Sequence, residues 1–152
     1  MVNELTSANF ISESTLFIRD ILRTNITDPL LRTGSGISFI YSSYPKKEVK
    51  YPLITVKPTD TSDIRRLGMQ SEQVAMTMPY EIRVWARNEK EKDTLAQEIY
   101  TFLQGNQFGA GSVTSAVGLH DFNCTSMTNV DEEGEEGIKS KIMMYKYLYI
   151  KT

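Results

Sequence analysis

One cysteine and one histidine are all that this 152-residue sequence holds of those two residue types. A lone Cys124 excludes an intramolecular disulfide, and with it the cystine-stapled secreted scaffolds. A lone His120 excludes a histidine-rich metal site within one chain. A surplus of one charge is missing too. The 17 Lys+Arg and 19 Asp+Glu leave a formal net charge of −2, whereas a dedicated nucleic-acid binder carries a basic excess. No run approaches ~18 uninterrupted apolar residues, so no membrane-spanning helix is expected. The opening residues, Met1-Val2-Asn3-Glu4-Leu5-Thr6, do not lead from a basic segment into an apolar one, so no secretory signal is expected. Asn25-Ile26-Thr27 and Asn123-Cys124-Thr125 match the glycosylation acceptor pattern by chance on that reading.

What is present is a globular composition, 40% hydrophobic and 24% charged. The length suits one domain, 1–152, large enough to bury a core. Residues 9–24 read as a helix: Phe10, Phe17 and Ile21 recur at near-helical spacing, widened by Leu16, Ile18 and Leu22. Asn25, Asp28 and Pro29 stop it. Ile37 to Ser42 and Tyr51 to Lys57 read as strands, and 58–70 as a long polar connection carrying Arg65 and Arg66. From Val74 to Ala86 every second residue is apolar, which is the pattern of a strand with one buried face. Pro79 interrupts its polar face and predicts an edge position, a bulge or a bend. Asn88 caps a second helix with Glu91 placed for a capping box, and Gly105 stops it. Residues 105–118 read as a Gly- and Ser-rich connection. Strands over about 119–130 and 138–150 close the chain. The fold class expected is α+β, in the order α-β-β-β-α-β-β, with two helices packed on a mostly antiparallel sheet and long, projecting strands.

Catalytic signatures are sparse. His120 and Asp121 are neighbours, so on a strand they point to opposite faces and do not form part of a triad. Gly109 and Gly111 lack the Gly-Lys-Ser/Thr continuation of a phosphate loop. The run Asp131, Glu132, Glu133, Glu135, Glu136 is too short for a calcium loop and reads as a charged hairpin tip, or as an electrostatic contact. A restriction-like nuclease would share part of the element order. Its pattern is incomplete, since Glu81-Ile82-Arg83 has Arg83 where Asp/Glu-x-Lys has its lysine, and Tyr51–Val56 carries no acid. A ligand pocket between sheet and helices stays open as a reading. No catalytic residue, cofactor or metal is expected.

Val74–Ala86 would extend roughly 43 Å, against a globule about 38 Å across for this chain length. Strands of that length cross the whole domain or project from it, which suits contact with a neighbouring subunit. The last strand has two apolar faces, Ile142, Met144, Leu148 and Ile150 on one and Met143, Tyr145, Tyr147 and Tyr149 on the other. The first face is expected to serve the core and the tyrosine face a protein partner, as aromatics and Met are enriched in interface cores; a core on both sides is the competing reading.

Three segments carry a resemblance: Tyr51-Pro52-Leu53-Ile54-Thr55-Val56; then Tyr80-Glu81-Ile82-Arg83-Val84-Trp85-Ala86-Arg87; then the helix through Leu95, Ala96, Ile99 and Leu103. Together they resemble the tail terminator, or tail completion, proteins of long-tailed bacteriophages. The resemblance implies a structural protein of the virion neck that assembles in the host cytoplasm. It would form a homohexameric ring that caps the tail tube protein and meets the head-side connector or stopper protein. DNA would pass through the lumen without specific binding, and no membrane is involved. A head–tail adaptor or stopper is the nearest alternative. The interface residues expected are Arg65 and Arg66, the acidic tip Asp131, Glu132, Glu133, Glu135 and Glu136, and Tyr145, Tyr147 and Tyr149.

Overall fold

The computed structural model describes residues 10–32, 38–46, 49–59, 63–66, 74–105, 119–131 and 137–151. Helix α1 spans Phe10–Asn25 and α2 spans Glu89–Gly105. The strands are β1 (Ile40–Tyr41), β2 (Leu53–Pro58), β3 (Asp63–Arg66), β4 (Val74–Ala86), β5 (Leu119–Asp131) and β6 (Lys139–Lys151). They form one sheet in the order β1-β2-β4-β6-β5, with β3 also on β4. Only β1 and β2 pair in parallel. The expected α+β class is observed. Two details differ: the first strand shrinks to two residues, and the polar connection contains a short extra strand, β3.

The Val74–Ala86 alternation forms one strand with those bounds, because a period of two buries a single face. Met78, Tyr80, Ile82, Val84 and Ala86 face the core, and β6 supplies Met143, Tyr145 and Tyr147 opposite them. Ile54 and Val56 of β2 complete that face. Both helices pack on it, α1 over β1 and β2, and α2 over β4, β5 and β6. On α1 the buried stripe is Thr15, Ile18, Leu22 and Ile26, at spacings of three and four. Phe17 is only partly buried, so the helix is rotated by about one position from the Phe17–Ile21 stripe expected.

Pro79 lies on an interior strand, and its position explains why that is tolerated. β2 pairs with β4 only as far as Tyr80, and β3 begins at Thr77. Pro79 therefore sits where the neighbouring strand is broken, and its carbonyl accepts from Thr59 N at 3.2 Å. The missing N–H falls in the gap between β2 and β3, where no ladder bond needs it.

Asn88 caps α2 as expected: its Oδ1 accepts from Glu91 N at 2.9 Å. Glu91 does not close a standard capping box. Its carboxylate reaches one residue further back, to the backbone N–H and guanidinium of Arg87. Lys92 is buried in the first turn, unfavourably placed against the helix dipole. It is neutralised by Glu89 at 2.5 Å, and Asp93 in turn pairs with Lys141 of β6 at 2.8 Å. These ion pairs tie the start of α2 to the sheet.

Candidate functional site

Among the described residues the sheet has one face under the helices and one without them, and residues that alternate with the core occupy the second. On β4 these are Thr77, Pro79, Glu81, Arg83 and Trp85. On β6 they are Ile142, Met144, Lys146 and Leu148. Near β2 this face is closed locally. Tyr44 meets Trp85 edge-on at 5.1 Å, and the Arg83 guanidinium lies 4.7 Å over the Trp85 ring. Leu53, paired with Trp85, is fully buried there. Arg83 also donates to Ser140 Oγ at 3.3 Å, and Ser140 donates to the Val130 carbonyl at 3.2 Å. Lys57 pairs with Glu81 at 3.8 Å. Along β6, Ile142, Met144 and Leu148 remain half-buried.

The assignment of faces on β6 is thus the reverse of the one expected. Tyr145 and Tyr147 are each 1% exposed and belong to the core. Tyr80 stacks on Tyr145 at 5.6 Å and leans on Tyr147 at 5.3 Å. The three rings fill the volume beneath α2 that aliphatic side chains would otherwise occupy, so Tyr145 and Tyr147 have no free surface for a partner. Burial, above all, raises the phenol pKa of Tyr80 and Tyr145 well above the ordinary value. Tyr149 lies in β6 opposite Met76 and Leu119, and only its backbone is described.

Of the other expected interface residues, Arg65 and Arg66 fall at one end of the sheet and Asp131 at the other. Arg65 and Arg66 lie in β3, in register with Ala75 and Val74. Asp131 ends β5 opposite Lys139, which pairs with Ala86. Along β4 that separation is twelve residues, or about 40 Å. The side chains of Arg65, Arg66 and Asp131 are not described. Glu132, Glu133, Glu135 and Glu136 lie outside the described residues, as does most of the Gly- and Ser-rich connection. By backbone register, Arg65 and Arg66 are therefore separate from Asp131.

No cluster of three or more His, Cys, Asp or Glu side chains exists among the described residues. Glu81, the acid of the nuclease-like triplet, pairs with Lys57 at 3.8 Å. Cys124 carries a free, half-buried thiol beside Tyr145. Burial raises its pKa, which suppresses the thiolate needed for nucleophilic chemistry. A cavity of about 300 Å³ opens at the start of α2, lined by Pro29, Asn88, Lys90, Glu91, Thr94, Leu95 and Glu98. Its carboxylates are already engaged, Glu91 by Arg87 and Glu98 by the Thr27 N–H at 3.2 Å. Among the described residues no helix is long and apolar enough to cross a membrane.

The feature that sequence reasoning missed is the sheet edge. β5 is the last strand, and Thr125, Ser126, Met127, Thr128 and Asn129 are all exposed along it. A usable signal existed: a five-residue strand segment without charge, proline or glycine.

No family model and no curated protein matches the chain. Among solved structures, a chain of the virion of native gene transfer agent (GTA) particle has a similar fold. Its TM-score is 0.50, at 11% identity, over 75% of this chain and 80% of that chain. At that identity the likeness concerns the fold.

Proposed function

We propose that this protein is a structural subunit of a phage-like virion, without chemistry of its own. In this reading it caps the tail tube as a homohexameric ring and joins it to the head-side connector or stopper. The observation that carries the reading is the shared fold with a chain of a gene transfer agent virion over three-quarters of the sequence. Two features of the molecule support it. Its three 13-residue strands lie side by side, each roughly 43 Å long if fully extended. The register also sets Arg65 and Arg66, on β3, at one end of the sheet and Asp131, where β5 ends, at the other. A subunit between two different partners along one axis needs two chemically distinct ends. The tube protein would meet one and the connector the other. DNA would pass through the lumen unbound, in keeping with the net charge of −2.

Light scattering with negative-stain imaging tests this. A species near six times 17.3 kDa, with a central hole, is the expected result. A closed dimer with no ring, alone or with tail tubes present, would refute it.

A further inference from the structure

An exposed strand edge is a template for another strand, and proteins normally guard such edges with charge, proline, bulges or shortness. The two borders of this sheet are treated differently. One consists of the two-residue β1, the end of β2 and the charged β3, Asp63-Ile64-Arg65-Arg66. It is short and charged. The other is β5, thirteen residues long. Its irregularities are confined to His120–Ser126. Beyond them the ladder to β6 runs regularly to Asp131, with exposed and uncharged side chains through Asn129. Among the described residues nothing pairs with its outer side. Met127, 44% exposed, lies in the same stretch.

We infer that β5 of one copy pairs with the β2–β3 border of the next copy, continuing the sheet from subunit to subunit. The inference deepens the ring reading and rests on it. Strand polarity supports the choice of occupant. β2 is antiparallel to β4, β4 to β6, and β6 to β5. β1 is parallel to β2, and β3 is antiparallel to β4. Every strand of the opposite border therefore runs against β5. Copies related by rotation about an axis along the strands bring the two borders together in antiparallel sense, the more stable pairing. The borders are unlike, so the contact is head-to-tail, and such a contact closes a ring when its rotation closes. β1 covers β2 only at Ile54 and Thr55, which leaves Val56–Pro58 with no strand on the outer side among the described residues. That free stretch lies level with the exposed part of β5. Lys57 and Ser126 both belong to the row of Glu81 and Met144, and both are exposed.

Cysteine cross-linking tests the contact in the full-length protein with Cys124→Ala as background. Lys57→Cys and Ser126→Cys are introduced together and singly, and treated with a flexible bis-maleimide reaching about 10 Å. That reach tolerates a shift of two residues, about 7 Å along a strand. The double variant is expected to give a ladder of covalent oligomers ending at the ring number, while neither single variant rises above background. Cross-linking of Ser126→Cys alone would overturn the inference, because it reports β5 against β5 in a two-fold dimer. A double variant that stays monomeric on a denaturing gel, while imaging shows rings, overturns the inference and leaves the ring reading standing. An open ladder without rings keeps the strand contact and removes the ring. Monomer without ladder at every concentration removes both.

Discussion

At the scale of single residues, the tyrosines show what a sequence pattern leaves undecided. Alternation told that β6 has two apolar faces, and not which one the helices cover. The choice depends on volume. Tyr145 stacks on Tyr80 and Tyr147 tilts against it under α2, which the aliphatic face of Ile142, Met144 and Leu148 does not do. A truncation therefore separates a core role from an interface role. Tyr145→Ala is expected to cost roughly 3–5 kcal/mol of folding stability, as for other buried aromatics, measured by denaturant unfolding. A variant that unfolds like the wild type yet fails to assemble would restore the interface role. Tyr80→Phe is the complementary change. The Tyr80 hydroxyl is buried without a hydrogen-bond partner among the described residues, so removing it is expected to leave stability unchanged or raised. A loss of more than about 1 kcal/mol would reveal a bond that the hydroxyl makes.

At the scale of elements, α2 and β4 were legible because their signals are local. Asn88 and the alternation from Val74 need no tertiary information. The break between β2 and β3 was not legible, because it is defined by what Pro79 on another strand lacks. β3 was hidden for a related reason: its Asp63-Ile64-Arg65-Arg66 segment has a polar composition, and only pairing with β4 makes it a strand. Ion pairs at the start of α2 give the element a pH dependence. The hydrogen bond from Arg87 holds the Glu91 carboxyl below its ordinary pKa, and that from Lys141 does the same for Asp93. A depressed folded-state pKa means that the unfolded chain takes up protons first. The contribution is thus present above the ordinary carboxylate range and is lost as pH falls below about 4. The thermal midpoint is expected to fall on acidification, and Glu91→Gln is expected to flatten that fall while lowering the midpoint at neutral pH. Parallel curves for the two proteins would remove Glu91 from the effect.

At the scale of the whole molecule, the polarity of the sheet is the property with consequences. Its composition, near neutral overall, conceals it: the backbones of Arg65 and Arg66 lie some 40 Å from that of Asp131 by the register of β4. Sequence alone showed Arg65, Arg66 and Asp131 but no distance between them, since that distance is set by the pairing of β3 with the start of β4 and of β5 with the start of β6. Segregation makes the two ends separable by mutation. The Arg65→Glu, Arg66→Glu double variant reverses charge on β3 while leaving the buried rows from Met78 to Ala86 untouched. Its folding stability is expected to stay within about 1 kcal/mol of wild type. Particle assembly is expected to stop with heads and tails unjoined, seen by negative stain of infected-cell lysates. Asp131→Lys at the far end is expected to leave the ring intact and to impair the contact with the other partner, so tail length or head joining fails separately in the two variants. If the charge-reversed β3 variant yields normal infectious particles, the basic end of the sheet plays no part in joining. If both variants fail at the same step, the two ends do not meet different partners.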